Sequence, residues 1–588
     1  MTTLPSGLPV MVDRAGSVPL AVQISAQLEA AVTGGVLHAG DRLPSSRDLA
    51  GTLGVSRTVV TNAYARLFAE GWLEGRHGSG TYVADVTPEQ SRGSVAAAGH
   101  DDSERERVSP RPAIPATGPS AVMDGTDVPT ASSRTSMNGS HLSMGGSNAS
   151  RADFTESAGP ARVPGIAAAA APGILGQPDE RPGRAALIDL QPGISWAEGI
   201  EPAAWRRAWR QAGAHLPSRM PDPYGLPELR EEIAGYLRRS RGLAVRPEQV
   251  LVTQGVSSGL ALIADALLTA GDEAGIEEPG YPTGREVLHR AGARVVPCRV
   301  DAHGIVPEEL PGGLRLLYTT PAHQYPLGGR LPVSRRQALI AWARATGAII
   351  VEDDYDSEFR YDVGPLPALH SMDPDVIVYL GTASKVLATA FGAGWLVAPP
   401  ALVDQLAALR PRLGARIPEP VQHAILALLR SGDLERHVRK MRLEYARRRA
   451  ALVDGLIHSS RDATGIGLTH PGPDVTGVGR APSGDDGATP AQTRMPFRLL
   501  GDTAGMHIVL ELADDIQASR LIDAAAERGI RVYSLDRYFA GEPAINGLII
   551  GYGTATLPQI RRASAELAQL LTQGHVVPAA AAASQPAK

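Results

Sequence analysis

The sequence predicts a multidomain protein in which a small α+β unit precedes a large α/β domain with its own smaller α+β subdomain. Up to about residue 84, short amphipathic helices are followed by a hairpin pattern. From about 185 to 575, apolar strands alternate with helical segments, and the stretch between these two regions shows neither pattern. A chain of 588 residues, 43% of them hydrophobic, is long enough to form both units.

Composition narrows the classes of function. The formal net charge of −5 excludes a wholly basic nucleic-acid coat but not a small DNA-reading module. The single cysteine, Cys298, excludes an internal disulfide and a Cys-rich zinc site, and the histidines lack the spacing of metal ligands. We find no signal peptide and no apolar run of the ~18 residues that a membrane span needs, so we expect a soluble, cytoplasmic protein with neither a metal nor a membrane partner.

The first unit, residues 15–84, is predicted to be a winged helix-turn-helix. Apolar residues recur every four positions from Leu20 to Val32, as on one face of a helix. Ser45 and Ser56 are in position to cap a second and a third helix, and a glycine-rich turn at 78–80 joins two short strands. Three helices with a tight turn between the last two, followed by a hairpin, make up that fold.

This fold predicts which residues would contact DNA. The third helix would enter the major groove by its N-terminal end, while the second helix and the hairpin would contact the DNA backbone or the minor groove. The predicted DNA contacts are Arg47, Ser56, Arg57, Thr58, Thr61, Arg76, Gly80 and Thr81. Acids and bases are about equal in number in this unit, so useful DNA affinity would require a dimer. The alternative is a unit that contacts only protein.

Three segments are predicted to be unfolded. Residues 85–184 are dominated by Ala, Ser, Gly, Pro and Arg, and they cannot bury enough apolar area to offset their ordering entropy, which predicts a flexible linker. Residues 458–502 read as a disordered insertion, and residues 576–588 as a disordered tail. The folded large domain would then span 185–575.

Within the large domain, alternation of strands and helices predicts a mostly parallel sheet with helices on both faces. The strand candidates are 250–253, 314–318, 348–351, 376–379 and 395–397. Two later strands, near 506–512 and 548–552, enclose a helix and predict the smaller subdomain.

Lysine usage draws attention to one residue. Only three of the 57 basic residues are lysines, so this chain uses Arg wherever positive charge alone suffices. Lys588 is the C-terminal residue and Lys440 lies among the arginines of a helix, whereas Lys385 stands alone after an apolar strand and a turn of small residues. A desolvated lysine favours the neutral amine that attacks an aldehyde, so Lys385 is the candidate for an imine.

Other residues would complete a pocket around Lys385. Asp353 follows a strand and can keep a pyridine nitrogen protonated, Tyr355 can bond a ring hydroxyl, and Tyr281 lies in a Pro-flanked turn that suits stacking on a flat ring. His323 offers a further ring-facing donor, and the backbone at 253–258 suits a phosphate at a helix N-terminus. Taken singly, each feature is more often ordinary packing or a solvated turn, but the ordered set describes a pyridoxal 5′-phosphate (PLP) pocket. The predicted cofactor contacts are Lys385, Asp353, Tyr355, Tyr281, His323, Gly255, Val256, Ser257, Thr382 and Ser384.

Several motifs resemble known families. Residues 40–50 (Gly-Asp-Arg-Leu-Pro-Ser-Ser-Arg-Asp-Leu-Ala) and 78–83 (Gly-Ser-Gly-Thr-Tyr-Val) are similar to the GntR family of bacterial regulators. Four segments of the large domain resemble the MocR subfamily, which joins a GntR winged helix to a fold-type I aminotransferase-like, PLP-dependent domain. These segments are 222–230, 320–328, 352–361 and 381–385.

By resemblance, Lys385 is the Schiff-base lysine, Asp353 pairs with the pyridine nitrogen, Tyr281 stacks on the ring and Tyr355 meets its hydroxyl. The resemblance also implies a homodimer, arranged head-to-tail, with the pocket near the subunit boundary.

The chain departs from the family pattern at two positions. Gly392 stands where the family has an Arg that grips the cofactor phosphate, so the expected bidentate contact is missing. Ile549 stands where aminotransferases commonly have an Arg for the substrate carboxylate. Without that Arg, an ordinary α-amino acid loses its main anchor.

The sequence therefore predicts a regulator that binds double-stranded operator DNA and senses PLP or a PLP–amine adduct. Its genes would serve vitamin B6 synthesis or the metabolism of amines and amino acids, and a small amine or amino acid would be a further effector. Two alternatives stay open: an active PLP-dependent aminotransferase with a DNA-binding appendage, and a regulator whose degenerate, PLP-free large domain only dimerises. The departures at 392 and 549 weigh against an enzyme.

Overall fold

The computed structural model describes most of both predicted units. The described residues are 10–14, 19–33, 36–76, 80–84, 187–361, 367–415, 417–464, 496–501 and 504–572. The predicted linker 85–184 and tail 576–588 lie outside the described residues. The structure narrows the predicted insertion, because a long helix continues to Thr464 and a strand begins at Phe497.

The N-terminal unit has the three helices and the hairpin that the sequence predicts. They are α1 (Leu20–Thr33), α2 (Ser46–Leu53), α3 (Arg57–Glu70), β1 (Leu73–Arg76) and β2 (Gly80–Val83), with β1 and β2 antiparallel. Ser45 and Ser56 cap α2 and α3, since each hydroxyl oxygen accepts a hydrogen bond from the backbone N–H three residues on. Gly54 and Gly71 end these helices in the left-handed conformation. The predicted capping and the winged helix-turn-helix fold are confirmed.

An eight-stranded sheet forms the centre of the large domain. Its strands are β4 (Val250–Thr253), β5 (Glu273–Glu278), β6 (Arg294–Asp301), β7 (Gly304–Ile305), β8 (Leu314–Thr319), β9 (Ile349–Asp354), β10 (Ile377–Thr382) and β11 (Gly394–Val397). The order is β4-β11-β10-β9-β8-β5-β6-β7, with β5, β6, β8, β9 and β10 parallel to their neighbours in that group. β11 is antiparallel to both β10 and β4. The mostly parallel sheet is confirmed, although β5 and β6 were not among the strand candidates.

Helices cover both faces of this sheet. The helices up to residue 430 are α4 (Pro202–Gly213), α5 (Pro227–Arg241), α6 (Val256–Leu267), α7 (Pro282–Arg290), α8 (Val333–Thr346), α9 (Pro400–Leu413) and α10 (Glu419–Arg430). Side chains alternate along each strand, so Leu251 packs in the cluster that contains residues of α6, α7 and α9, while Val250 and Val252 pack with α5 and α10. The carboxyl ends of the parallel strands are thereby left to carry the site.

A smaller antiparallel sheet follows in the chain. Strands β12 (Phe497–Leu500), β13 (His507–Leu512), β15 (Tyr533–Ser534) and β16 (Gly547–Gly551) pair in the order β12-β13-β16-β15, and β3 (Ile188–Asp189) pairs with β14 (Ile530–Arg531). Helices α11 (Asp433–Thr464), α12 (Ala518–Glu527) and α13 (Leu557–Thr572) belong to this part. The predicted α+β subdomain is confirmed. None of the helices in the described part of the chain has the length and apolarity to cross a membrane.

Candidate functional site

Lys385 lies in the turn after β10, with its amine against a distant part of the chain. Its Nζ donates a hydrogen bond to the backbone oxygen of Gly193. Gly193 has a φ of +75°, and a Cβ at this position would lie 3.1 Å from Nζ, so a side chain here would crowd the amine. Burial lowers the pKa of Lys385, and the charges of Asp353 and Asp356 oppose this shift. The lowered pKa increases the fraction of neutral amine, the form that attacks an aldehyde.

Asp353 belongs to β9, which continues through the acids that were predicted to follow the strand. Its carboxyl group is buried, and Oδ2 accepts a hydrogen bond from the hydroxyl of Tyr318. Oδ1 has no hydrogen-bond partner among the described residues. Burial raises the pKa of Asp353 to about 7, although the Tyr318 hydrogen bond and the charge of Lys385 lower it. A buried carboxylate oxygen without a partner suits the N–H of a pyridinium ring.

The two acids that flank Asp353 are held on the other side of β9, because side chains alternate along a strand. The carboxylate of Glu352 accepts hydrogen bonds of 2.8 Å from the backbone N–H groups of Leu369 and His370. Asp354 forms a buried ion pair with Arg241, at 2.6 Å between Oδ2 and Nε. These partners explain how a strand can end in three acids, and they fix the position of Asp353.

The predicted phosphate cup forms at the start of α6. Gly255 precedes the helix with a φ of +84°, and Val256 and Ser257 are the first residues of the helix. The turn before Lys385 faces this helix end, because a Cβ at Gly255 would lie 3.9 Å from Oγ of Ser384. Thr382 shapes the turn by accepting a 3.0 Å hydrogen bond from the backbone N–H of Ser384. The two predicted segments therefore meet, and the free N–H groups of a helix start favour an anion there.

Tyr281 connects this cup to the rest of the pocket. Its hydroxyl lies 3.2 Å from Oγ of Ser257, a contact that the sequence did not indicate. Its ring is nearly parallel to that of Tyr318, with an interplanar angle of 23° and 6.2 Å between centroids. The stacking of Tyr281 on a cofactor ring stays a prediction.

His323 and Tyr355 lie side by side near Asp356. The hydroxyl of Tyr355 is 2.8 Å from Nδ1 of His323, and that nitrogen is 3.0 Å from Oδ2 of Asp356. Nε2 of His323 is buried and has no hydrogen-bond partner among the described residues. Tyr355 already has a partner here, so His323 holds the atom that a ligand can still use, and the contact of Tyr355 with a ring hydroxyl stays a prediction.

Gly392 occupies the position of the missing phosphate arginine. It has a φ of +55°, a left-handed conformation that other residues adopt only with strain. A Cβ at this position would meet no heavy atom within 4 Å. The obstacle to an Arg here is therefore the backbone conformation and not a lack of space.

Ile549 stands where the sequence analysis expects the substrate arginine of an aminotransferase. It lies in β16 between β13 and β15, opposite Val509 and Tyr533, and it is fully buried. Val509, Leu535 and Tyr538 pack in the same apolar cluster. The position where a carboxylate-binding Arg was expected is thus an apolar wall.

Three aromatic residues that the sequence did not indicate pack together, and one of them, Tyr325, contacts Tyr355. The ring of Tyr325 contacts those of Tyr355 and His507, each at 5.4 Å between centroids, and its hydroxyl donates a 3.2 Å hydrogen bond to Tyr538. Burial lowers the pKa of His507 to about 4, so its ring is neutral near pH 7. Tyr325 lies inside the 320–328 motif that the sequence analysis quoted, whereas His507 and Tyr538 are in the small subdomain, in no motif that was recognised.

The predicted DNA contacts at the helix-turn-helix are exposed together. Arg47, Arg57, Thr58 and Thr61 are all solvent-exposed, and Nε of Arg57 donates a 3.4 Å hydrogen bond to a serine hydroxyl of α2. Ser56 is also exposed, but its hydroxyl oxygen caps α3, so only its hydroxyl hydrogen is left for a phosphate. The arrangement fits the expected entry of α3 into a major groove.

The hairpin carries the other predicted DNA contacts. Gly80 is exposed, Thr81 is half-buried and Arg76 ends β1. Sequence reasoning missed Arg42, which is exposed beside the hairpin: a Cβ at Gly80 would lie 3.0 Å from its Nε. Arg42 lies within the motif at 40–50, so that motif was the available signal.

The residues around Lys385 fit PLP, and they are called the cofactor pocket below. A lysine with a lowered pKa, a buried carboxylate with an unused oxygen and a helix start facing a Ser-Lys turn match the aldehyde, the ring nitrogen and the phosphate of that molecule. Within the described ranges, no group of three or more His, Cys, Asp or Glu side chains is placed to hold a metal ion.

Comparison with protein families gives two matches. Residues 20–83 match the model for bacterial regulatory proteins of the gntR family, and residues 195–476 match the model for aminotransferases of class I and II.

Similar proteins span the whole architecture. The chain is 31% identical to the HTH-type pyridoxine biosynthesis transcriptional regulator PdxR of Corynebacterium glutamicum, over 96% of this chain and 99% of that protein. It is 29% identical to the probable rhizopine catabolism regulatory protein MocR of Rhizobium meliloti, over 92% of both chains. Among solved structures, α-aminoadipate aminotransferase LysN of Thermus thermophilus superposes with a TM-score of 0.55 at 22% identity, over 66% of this chain and 92% of that one. This last likeness shows the fold of the large domain.

Proposed function

Because the chain belongs to the MocR subfamily of GntR-type transcriptional regulators, we propose that its large domain binds PLP at Lys385 and that PLP controls its binding to operator DNA. The observation that carries this proposal is a Lys385 amine with a lowered pKa beside a carboxylate with an unused oxygen, together with an apolar cluster at Ile549. Such a pocket holds the cofactor but lacks the usual anchor for an amino acid substrate. A sensor of PLP has to bind the cofactor but needs no anchor for an amino acid.

Each pocket residue has a task in binding PLP. When bound, PLP supplies the aldehyde and the electron-withdrawing ring. Lys385 would provide the amine that condenses with the aldehyde, with loss of its oxygen as water, and Asp353 would hold a proton on the ring nitrogen through Oδ1. The start of α6, with Ser257 and Ser384 beside it, binds the phosphate. Nε2 of His323 is the atom available for the ring hydroxyl.

The relative from Corynebacterium glutamicum supports a more specific role. That protein is named as a regulator of pyridoxine biosynthesis, and the chain covers 99% of its length. We propose that this chain likewise controls genes of vitamin B6 synthesis, with PLP itself as the effector. A regulator that reads the end product of the route it controls needs no substrate anchor, which agrees with the apolar wall at Ile549.

We further propose a homodimer in the cytoplasm, where a DNA-reading protein meets the chromosome. Three large apolar side chains of the large domain support an interface between two copies, because Leu216, Met220 and Leu443 are 91%, 83% and 69% exposed. Two copies would also supply the second winged helix that an operator with two half-sites requires.

The test measures binding to operator DNA with and without PLP. The wild type is expected to change its DNA affinity at least tenfold when PLP is added, and Lys385→Ala is expected to lose this change while keeping its affinity without PLP. Lys440→Ala is the matched control, because it removes the other lysine of the large domain, whose Nζ bonds the backbone oxygen of Gly199 outside the cofactor pocket.

Two other outcomes would contradict the proposal. Equal DNA affinity with and without PLP in the wild type would favour a regulator whose large domain only dimerises. Steady conversion of amino donors at a rate that Lys385→Ala abolishes would favour the aminotransferase alternative.

A further inference from the structure

The N-terminal winged helix, called the reading head here, rests on the start of helix α8 in the large domain. Val333, the first residue of α8, is only 4% exposed and belongs to the apolar core cluster of the reading head. A Cβ on Gly71, which ends α3, would lie 3.2 Å from Cβ of Pro332. Gly71 therefore meets two requirements at once: a left-handed φ of +83° and a close approach to the large domain.

Opposite charges face each other around this contact. The reading head contributes Glu29 and Glu70, and the large domain contributes Arg336 and Arg330. Burial raises the pKa of Glu70, and the guanidinium groups of Arg66, Arg336 and Arg330 lower it. Burial also raises the pKa of Glu29 to about 7. Glu70 has its own ion pair in the head, at 2.8 Å to Arg66, and the arginines of the large domain add further positive charge beside it when the head is docked.

Arg336 also faces the strand that carries the cofactor carboxylate. It donates 2.9 Å hydrogen bonds to the backbone oxygens of Leu331 and Pro367, and it is itself buried. Burial lowers the pKa of Arg336, and the charge of Glu352, followed by that of Glu70 in the reading head, opposes this shift. Glu352 is the neighbour of Asp353 in β9. One guanidinium therefore lies between the reading head and the strand that holds the ring-nitrogen ligand.

The backbone makes a second connection over a short distance. The loop that carries His323 in the cofactor pocket runs directly into α8. It is braced by hydrogen bonds from Gln324 N to Gly329 O at 2.7 Å and from Leu331 N to Pro321 O at 3.0 Å. A shift of His323 on ligand binding is thus transmitted through a closed loop to the residues beneath the reading head.

We propose that Arg330, Pro332, Val333 and Arg336 form a dock for the reading head, and that PLP acts on DNA binding by changing how tightly the head is held there. This inference rests on the proposed function, because it names the contact through which the cofactor pocket acts.

The dock leaves the DNA-contacting surface free. It holds α3 by its C-terminal end, whereas Arg57 and Thr58 lie at the N-terminal end. At a rise of 1.5 Å per residue, the 14 residues of α3 separate the two ends by about 20 Å. The docked head can therefore read DNA, and the dock sets the orientation in which it does so.

Val333→Asp tests the dock without touching the pocket or the DNA surface. The substitution places a negative charge in the apolar contact between Val333 and the core cluster of the head. At the first position of α8 an acid is otherwise favourable to the helix, so the large domain should keep its fold. Ser334→Asp is the matched control, because it puts the same charge one residue further along the same helix turn, outside the apolar cluster of the head.

The readouts are amide hydrogen exchange over residues 68–72 and 331–336, PLP binding by absorption, and DNA affinity with and without PLP. In the wild type and Ser334→Asp, PLP is expected to change exchange in both segments together and to change DNA affinity at least tenfold. In Val333→Asp, both segments should exchange at least tenfold faster, PLP should still bind, and the effect of PLP on DNA affinity should fall below twofold.

The failures of the two proposals are distinguishable. Val333→Asp that keeps the full effect of PLP on DNA affinity overturns the dock and leaves the proposed function standing. Wild-type protein that binds PLP but shows no effect on DNA affinity overturns the proposed function, and the dock as its route with it.

Discussion

The cofactor pocket and the apolar cluster around Ile549 differ in chemistry. Around Lys385 and Asp353 the side chains are polar, buried and shifted in pKa, and an unused carboxylate oxygen is held in place. Around Ile549 the side chains are apolar and closely packed. The first group of side chains suits a cofactor such as PLP, whereas the second offers no charge for a substrate carboxylate.

The largest effect is expected when an arginine is placed at position 549. Ile549→Arg is expected to lower the free energy of unfolding by about 4 kcal/mol or more, because it places an unpaired charge where Ile549 is fully buried. Ile549→Leu should cost less than about 1.5 kcal/mol. Denaturant unfolding of both variants measures this, and a stable Ile549→Arg protein that turns over amino acids would refute the apolar wall.

At the cofactor end, Asp353→Asn tests the ring-nitrogen contact. A hydrogen bond to a charged group is worth about 1.5–3 kcal/mol, so PLP affinity should fall by about tenfold to a hundredfold. Titration of the PLP absorption measures the affinity. Since Asn is nearly the same size as Asp, the fold should persist, and unchanged PLP affinity would show that Asp353 does not meet the ring.

The pH dependence of PLP binding tests the same contact between Asp353 and the ring nitrogen. The pKa of Asp353 is raised to about 7, so below this pH the carboxyl group is protonated and lacks the negative charge that stabilises a pyridinium N–H. Because the pKa is raised, ionisation of Asp353 lowers the stability of the fold as pH rises through about 7. A bound pyridinium offsets this loss by pairing with the buried carboxylate. PLP affinity should therefore rise as pH increases through about 7, and Asp353→Asn should weaken this rise. A wild-type affinity that is flat from pH 6 to 8 would contradict the assignment.

The smallest effect is expected at Gly392. Gly392→Arg should tighten PLP binding by about tenfold or less, because a gained charge-assisted contact is offset by strain of about 1 kcal/mol in the left-handed conformation. Gly392→Ala is the control, since it brings the strain without the charge. If Gly392→Arg binds PLP no better than Gly392→Ala, the phosphate lies out of reach of this position.

Much of the reading head could be predicted because its structure is local. The caps at Ser45 and Ser56 and the glycine-ended helices are determined by residues three or four apart. The strand of the cofactor pocket was harder to predict. Three successive acids argue against a strand, and only the distant Arg241 and the backbone at Leu369 and His370 make them tolerable in β9.

The predicted set of pocket residues contains those that lie in recognisable motifs and lacks those that lie outside them. Lys385, Asp353 and His323 were identified from their motifs, and the structure brings the helix start at Gly255 against the turn before Lys385. The contacts of His507 and Tyr538 depend on how the small subdomain folds back onto the large one, which no local pattern contains. The dock at Val333 could not be predicted for the same reason, because it joins two units that are far apart in the sequence.

The most direct test of the account is the visible absorption of the purified protein titrated with PLP. The wild type and Lys440→Ala are expected to show an absorption band that free PLP does not have. Lys385→Ala is expected to show no such band. If the wild type gives no band and its spectrum matches that of Lys385→Ala, the pocket does not hold PLP at this lysine, and the central claim is wrong.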